Sequence, residues 1–167
     1  FRNYIGTNAN GDDLGNAGDG VIVFDADQVD IGLNSDDGNV IGNNTIGIQI
    51  VGADDVDVKG NYIGTNANGD DLGNTVYGVR IRSTGEASSN EIGYDVGAAI
   101  PDDPSPGSGV GNAIAFNNDG VAISGSGTLV SNAVRGNLIY DNGLLGIDLA
   151  DDGESSNDFG DADSGVN

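Results

Sequence analysis

Fourteen residues, Asn3 to Asn16 (NYIGTNANGDDLGN), recur without change as Asn61 to Asn74, 58 positions later. A chain that spells one local structure twice is built from repeating units, and units of this size bury their apolar faces by stacking on one another. Looser copies of the same start appear as Gly38-Asn39-Val40-Ile41, Gly111-Asn112-Ala113-Ile114 and Gly136-Asn137-Leu138-Ile139. They share an Asn-x-Ile grammar with Asn3-Tyr4-Ile5 and Asn61-Tyr62-Ile63.

A second series begins with glycine: Gly20-Val21-Ile22-Val23, Gly47-Ile48-Gln49-Ile50, Gly78-Val79-Arg80-Ile81, Gly120-Val121-Ala122-Ile123 and Gly146-Ile147-Asp148-Leu149. Its period-two alternation marks half-buried strands. A weaker third series runs Val29-Asp30-Ile31, Val56-Asp57-Val58, Asn90-Glu91-Ile92 and Asn132-Ala133-Val134. The three types follow one order around the chain, and the shortest separation between Asn-x-Ile starts is 22 residues. That length closes a coil of three strands. The expected fold is therefore all-β, a parallel β-helix of about five rungs over residues 1–149, followed by an acidic tail at 150–167.

In such a coil Val21, Val23, Ile48, Ile50, Val79, Ile81, Val121, Ile123, Ile147 and Leu149 point inward from one wall. Ile31, Val58, Ile92 and Val134 line the second, and Ile5, Ile41, Ile63, Ile114 and Ile139 the third. The Gly-Asn pair suits a sharp corner, because both residues tolerate a positive φ and asparagine bonds nearby backbone groups. A sandwich of antiparallel hairpins would not require one corner residue at the same phase of a long repeat. A hexapeptide helix would need a strict six-residue period, and none is present.

Gly60 to Asn66, Asn132 to Ile139 and Gly146 to Leu149 resemble the repeat signature of the right-handed parallel β-helix family, of pectate-lyase-like architecture. The resemblance covers nearly the whole chain, apart from insertions at 94–110 and in the TNANGDDLGN loops. It implies right-handedness and an asparagine ladder through Asn39, Asn61, Asn112 and Asn137. It also implies a large secreted or surface protein, so the expected location is extracellular or at the cell surface. It does not imply a reaction, since this scaffold carries enzymes and structural proteins alike.

Charge narrows the partners. Asp and Glu number 27 against five Lys and Arg, a formal net charge of -22 that repels phosphate backbones and anionic bilayers. Neither nucleic acid nor a membrane span is expected, and no apolar run approaches the roughly 20 residues that cross a bilayer. Nearly all the acid is Asp, which fits turns and calcium loops. Two readings follow, divalent-cation binding or a solvated surface suited to salt. With no cysteine, disulfides and thiolate chemistry are excluded. Opening at Phe1 inside a repeat, the chain is expected to be a processed product or a piece of a longer polypeptide.

Calcium is the candidate cofactor. Asp158, Asp161, Asp163 and Asn167 alternate oxygen side chains around a glycine turn, as a calcium-wrapping loop requires. The glycine falls one residue early for an EF-type loop and no bidentate Glu follows. The repeated loops offer Asn8, Asn10 and Asp12, and Asn66, Asn68 and Asp70. The competing account is that Asn, Gly and Asp simply make tight turns.

No catalytic residue is expected. The outward positions of the glycine series are Ile22, Gln49, Arg80, Ala122 and Asp148, a column without a repeated carboxylate pair. Arg80-Ile81-Arg82 and Gly69-Asp70-Asp71 resemble fragments of polygalacturonases, but the chain has no histidine and no Asn-Thr-Asp. The arginines are better read as an exposed pair on an acidic surface. The leading expectation is a non-enzymatic structural or adhesive module of a surface protein or filament. Its partners would be copies of itself stacked head-to-tail, or adjoining segments of a longer chain. The alternatives are a polysaccharide lyase, hydrolase or tailspike-like depolymerase, or a module that binds carbohydrate without cleaving it, for which Tyr4 and Tyr62 could form a platform.

Overall fold

The computed structural model describes residues 2–32, 38–94 and 111–153. In chain order these form β1 (Tyr4–Ile5), β2 (Asp19–Phe24), β3 (Asp27–Gly32), β4 (Val40–Ile41), β5 (Ile46–Val51), β6 (Asp54–Lys59) and β7 (Tyr62–Ile63). The second half adds β8 (Tyr77–Ser83), β9 (Glu91–Gly93), β10 (Ala113–Ala115), β11 (Asp119–Gly125), β12 (Ala133–Arg135), β13 (Leu138–Tyr140) and β14 (Ile147–Leu149). Every strand pairs in parallel with its counterpart one rung away, giving three sheets: β1-β4-β7-β10-β13, β2-β5-β8-β11-β14 and β3-β6-β9-β12. The chain is a parallel β-helix with three strands per rung and about five rungs. Among the described residues no helix is long and apolar enough to cross a membrane.

The core is the set of aliphatic columns inside the coil. Ile41, Ile63 and Ile114 stack on one wall, Ile48, Val79 and Val121 on another, and Val58 and Ile92 on the third, all buried. Ile5, Val21, Val134, Ile139 and Leu149 pack against this core but are only partly buried, because they lie at or near its ends. Ile147 keeps the inward register of Val121 yet is 43% exposed, being in the last described rung.

The corners carry more order than the core. At the corner before the β1-β4-β7-β10-β13 wall, each asparagine Oδ1 accepts both the backbone N–H and the Nδ2–H of the asparagine one rung earlier. The chain Asn3, Asn39, Asn61, Asn112, Asn137 runs the length of the coil with Nδ2 to Oδ1 distances of 2.7, 2.9, 3.1 and 2.9 Å. The ladder implied by resemblance is present, and Asn3 belongs to it. A second column at the next corner was not foreseen: Asn16, Asn44, Asn74, Asn117 and Asn142, joined in the same double pattern. The third corner has a shorter version, in which Val56 N–H donates to Asn90 and Asn90 donates twice to Asn132.

These asparagines also donate inward. Asn61 Nδ2 bonds the carbonyls of Ile31 and Lys59, and Asn74 Nδ2 reaches Ile41 O. Carbonyls that turn away from the sheets at each corner are thereby satisfied, as a buried bend requires. Asn43, Phe116 and Asp141, which precede three members of the second column, share φ values of 59°, 59° and 49°.

Candidate functional site

The two copies of the repeated loop make the same turn twice. Asn8 Oδ1 accepts the N–H groups of Asn10 and Asp12, while Asn8 Nδ2 donates to Asp12 Oδ2 at 2.8 Å. Asn66 repeats this with Asn68 and Asp70, again with a 2.8 Å bond to the carboxylate. Thr7 and Thr65 hydroxyls close the loops on the carbonyls of Asp12 and Asp70. The structure thus brings Asn8, Asn10 and Asp12 together, and Asn66, Asn68 and Asp70. It aims amide N–H groups at each carboxylate, so the side chains complete a hydrogen-bonded turn. Among the described residues no group of three or more His, Cys, Asp or Glu is placed to hold a metal ion. Asp158, Asp161, Asp163 and Asn167 lie outside the described residues.

Identical sequence does not mean identical surroundings. Leu72 folds back over the outer face of the β1-β4-β7-β10-β13 wall and forms a second apolar cluster with Val40, Tyr62 and Ala113. Its carbonyl accepts the N–H of Asn43 one rung earlier. The equivalent Leu14 and Tyr4 belong to the first rung and are 59% and 42% exposed, against 3% and 7% for Leu72 and Tyr62. The two tyrosines therefore do not form a matched platform.

The outward column of the glycine series is in register as expected: Ile22, Gln49, Arg80, Ala122, Asp148. Much of it is nevertheless buried in polar contacts. Gln49 Nε2 donates to Asp19 at 2.7 Å, and Asp148 accepts the N–H groups of Asp151 and Gly153. Arg80 lies over the Tyr77 ring and bonds Asp151 at 2.7 Å, while the Tyr77 hydroxyl donates to the other oxygen of Asp151 at 2.6 Å. The expectation of an exposed arginine pair holds for Arg82 alone. Arg80 is half-buried because a carboxylate 71 positions later folds back onto it. Burial, then the bond to Asp151, pushes the Tyr77 pKa up to about 12.

On the β3-β6-β9-β12 wall, Asp57 and Glu91 stand in register, and two cations offset them. Lys59 bonds Asp57 at 2.8 Å and Glu91 at 2.9 Å, and Arg135 bonds Glu91 at 2.8 Å. Burial alone would raise Glu91, but its two cationic partners outweigh that and hold it below the usual carboxylate value. Burial likewise opposes the charge on Lys59, and its acidic neighbours prevail, raising its pKa.

A shallow depression beside β8 and β11 is lined by Phe24, Val51, Arg80, Arg82, Ser83 and Ser124. It joins a 66% exposed phenyl ring to the exposed Arg82. No protein-family profile, curated protein or solved structure matches this chain.

Proposed function

We propose that this chain is a non-enzymatic structural or adhesive module of an extracellular surface protein or filament. The observation that carries the reading is the asparagine columns. Two of them run through all five rungs, and their side-chain bonds are spent on joining rung to rung. Such an arrangement resists length-wise separation and extends without limit as rungs are added. On the outward column Gln49 and Asp148 are likewise engaged within the fold, and Arg80 bonds Asp151 through its terminal nitrogen while its buried Nε has no hydrogen-bond partner among the described residues. Calcium enters this reading as a stabilising ion for the acidic tail at Asp158, Asp161, Asp163 and Asn167. Titration of the chelated protein at low salt tests it, and no heat and no change in melting temperature would remove calcium from the account.

A second reading rests on the depression lined by Phe24 and Arg82, which stand two rungs apart on either side of Val51 and offer an aromatic ring and a cation to an acidic sugar. The two readings separate in one experiment. Polysaccharides are incubated with the protein, with and without calcium, and followed by reducing ends and by absorbance of unsaturated products. The scaffold reading expects no turnover, and turnover abolished by Arg82→Ala would overturn it. Binding without turnover, lost in the same variant, would identify a sugar-binding module.

A further inference from the structure

One aromatic residue stands where the backbone disfavours it. Of the non-glycine residues with a positive φ among those described, Phe116, at 59°, is the only aromatic one. A bulky side chain crowds its own backbone in the left-handed region, whereas Asn and Asp bond locally and tolerate it.

The repeat supplies its own comparison. Register through Ile41, Ile63, Ile114 and Ile139 makes Asn43, Phe116 and Asp141 equivalent, each two residues after an aligned isoleucine or its counterpart and just before a member of the second asparagine column. Two of these three rungs use the residue types that the conformation favours. The conformation itself is imposed by neighbours. Asn117 is held by Asn74 on one side and Asn142 on the other. A β-carbon on Gly73 would lie 2.0 Å from the Phe116 carbonyl oxygen, as one on Gly15 would lie 1.8 Å from that of Asn43. The phenyl group is thus accommodated against local preference. Strain of this kind persists where the surroundings over-determine it, and it collects at ligand-binding positions.

Packing gives little in return. Phe116 is only half-buried, belongs to neither apolar cluster, and meets one other ring, that of Tyr140, edge-on at 5.9 Å. Its surroundings are polar instead. With Asp71, Thr75, Asn118 and Asp141, all four exposed, it lines a shallow depression of about 350 Å³. Asp71 comes from the rung before and Asp141 from the rung after. This depression precedes the starts of β8 and β11, whereas the one at Phe24 and Arg82 lies near their ends.

An aromatic side chain offers an apolar surface to the C–H face of a sugar, and carboxylate and amide groups beside it bond the hydroxyls. Two carboxylates and a net charge of -22 repel acidic glycans and favour a protonated amine near the ring. We infer that the corner at Phe116 is a saccharide-binding site for a neutral or aminated sugar unit, with Phe116 as the stacking surface and Asp71, Asn118 and Asp141 as its polar contacts. This goes beyond the scaffold reading and supplies an adhesive module with a ligand.

The test compares the full chain with Phe116→Asn, which restores the residue type that Asn43 places at the same position. Both are melted and applied to a microarray of neutral, aminated and acidic glycans. The variant is expected to melt at the parent's temperature or higher, because strain is relieved, while losing about tenfold or more in affinity for the neutral or aminated glycans that the parent binds. A variant that melts several degrees lower, or does not fold, would show that Phe116 serves packing and would overturn the inference. So would a parent that binds no neutral or aminated glycan, or a variant that binds them equally well. Asp141→Asn keeps a side chain suited to the turn and removes one charge. It is expected to weaken aminated glycans more than neutral ones, and no change in either would refute the contacts assigned to the carboxylates. Binding of acidic glycans alone, lost in Arg82→Ala, would place recognition at the other depression and refute this one. Polysaccharide turnover would sink the non-enzymatic reading without moving the Phe116 comparison.

Discussion

The asparagine side chain does at these corners what no apolar residue of its size can do. It presents an acceptor toward one rung and donors toward the next, while its second amide hydrogen serves a corner carbonyl. Asn61 is fully buried and makes all of these bonds. Asn61→Ala is expected to cost about 3 kcal/mol, because the Asn39 and Ile31 groups it served stay buried without partners. Asn3→Ala, in the first described rung where the side chain is exposed, is expected to cost less than about 1 kcal/mol, and urea unfolding of the two variants compares them directly. Tyr77 makes a pH-dependent contribution. Its folded pKa of about 12 lies above its ordinary value of 10.0, so the stabilisation is complete below pH 10 and is lost as pH rises through 12. Absorbance titration should find one tyrosine ionising late, and Tyr77→Phe should abolish that late phase.

At the scale of the element, the repeated loop separates what a segment does from where it sits. Both copies close through the same threonine, asparagine and aspartate bonds, so their shape is local. Their energetic weight is not. Leu72→Ala should destabilise by about 2–3 kcal/mol, since it empties the cluster with Val40, Tyr62 and Ala113. Leu14→Ala, the same change in the same fourteen residues, should stay within about 0.5 kcal/mol. Thermal melts of the two variants, scored side by side, check the contrast; equal losses would show that Leu14 is covered in solution.

Across the whole molecule, stacking converts a sequence repeat into continuous columns of each kind: aliphatic inside, amide at the corners, charged outside. The acid column of Asp57 and Glu91 is tolerable because Lys59 and Arg135 interleave with it. With Arg80 bound to Asp151, three cations are seen in ion pairs among the described residues, and the formal net charge of -22 keeps the protein strongly acidic. Rung order, the three walls and the inward residues were legible because strand alternation and glycine corners are short-range features. The second asparagine column was harder to see. Its members stand 28, 30, 43 and 25 residues apart, and Asn16 and Asn74 close long loops while Asn44, Asn117 and Asn142 close compact corners.

The fourteen-residue repeat by itself determined the architecture and the shape of its own loops, because backbone turns and alternating strands are decided by neighbouring residues. Only the tertiary structure decided that Leu72 is core while Leu14 is surface, and that Arg80 is paired while Arg82 is free of burial. Burial and close approach depend on which rung lies next along the stack, and that neighbour is tens of residues away in sequence.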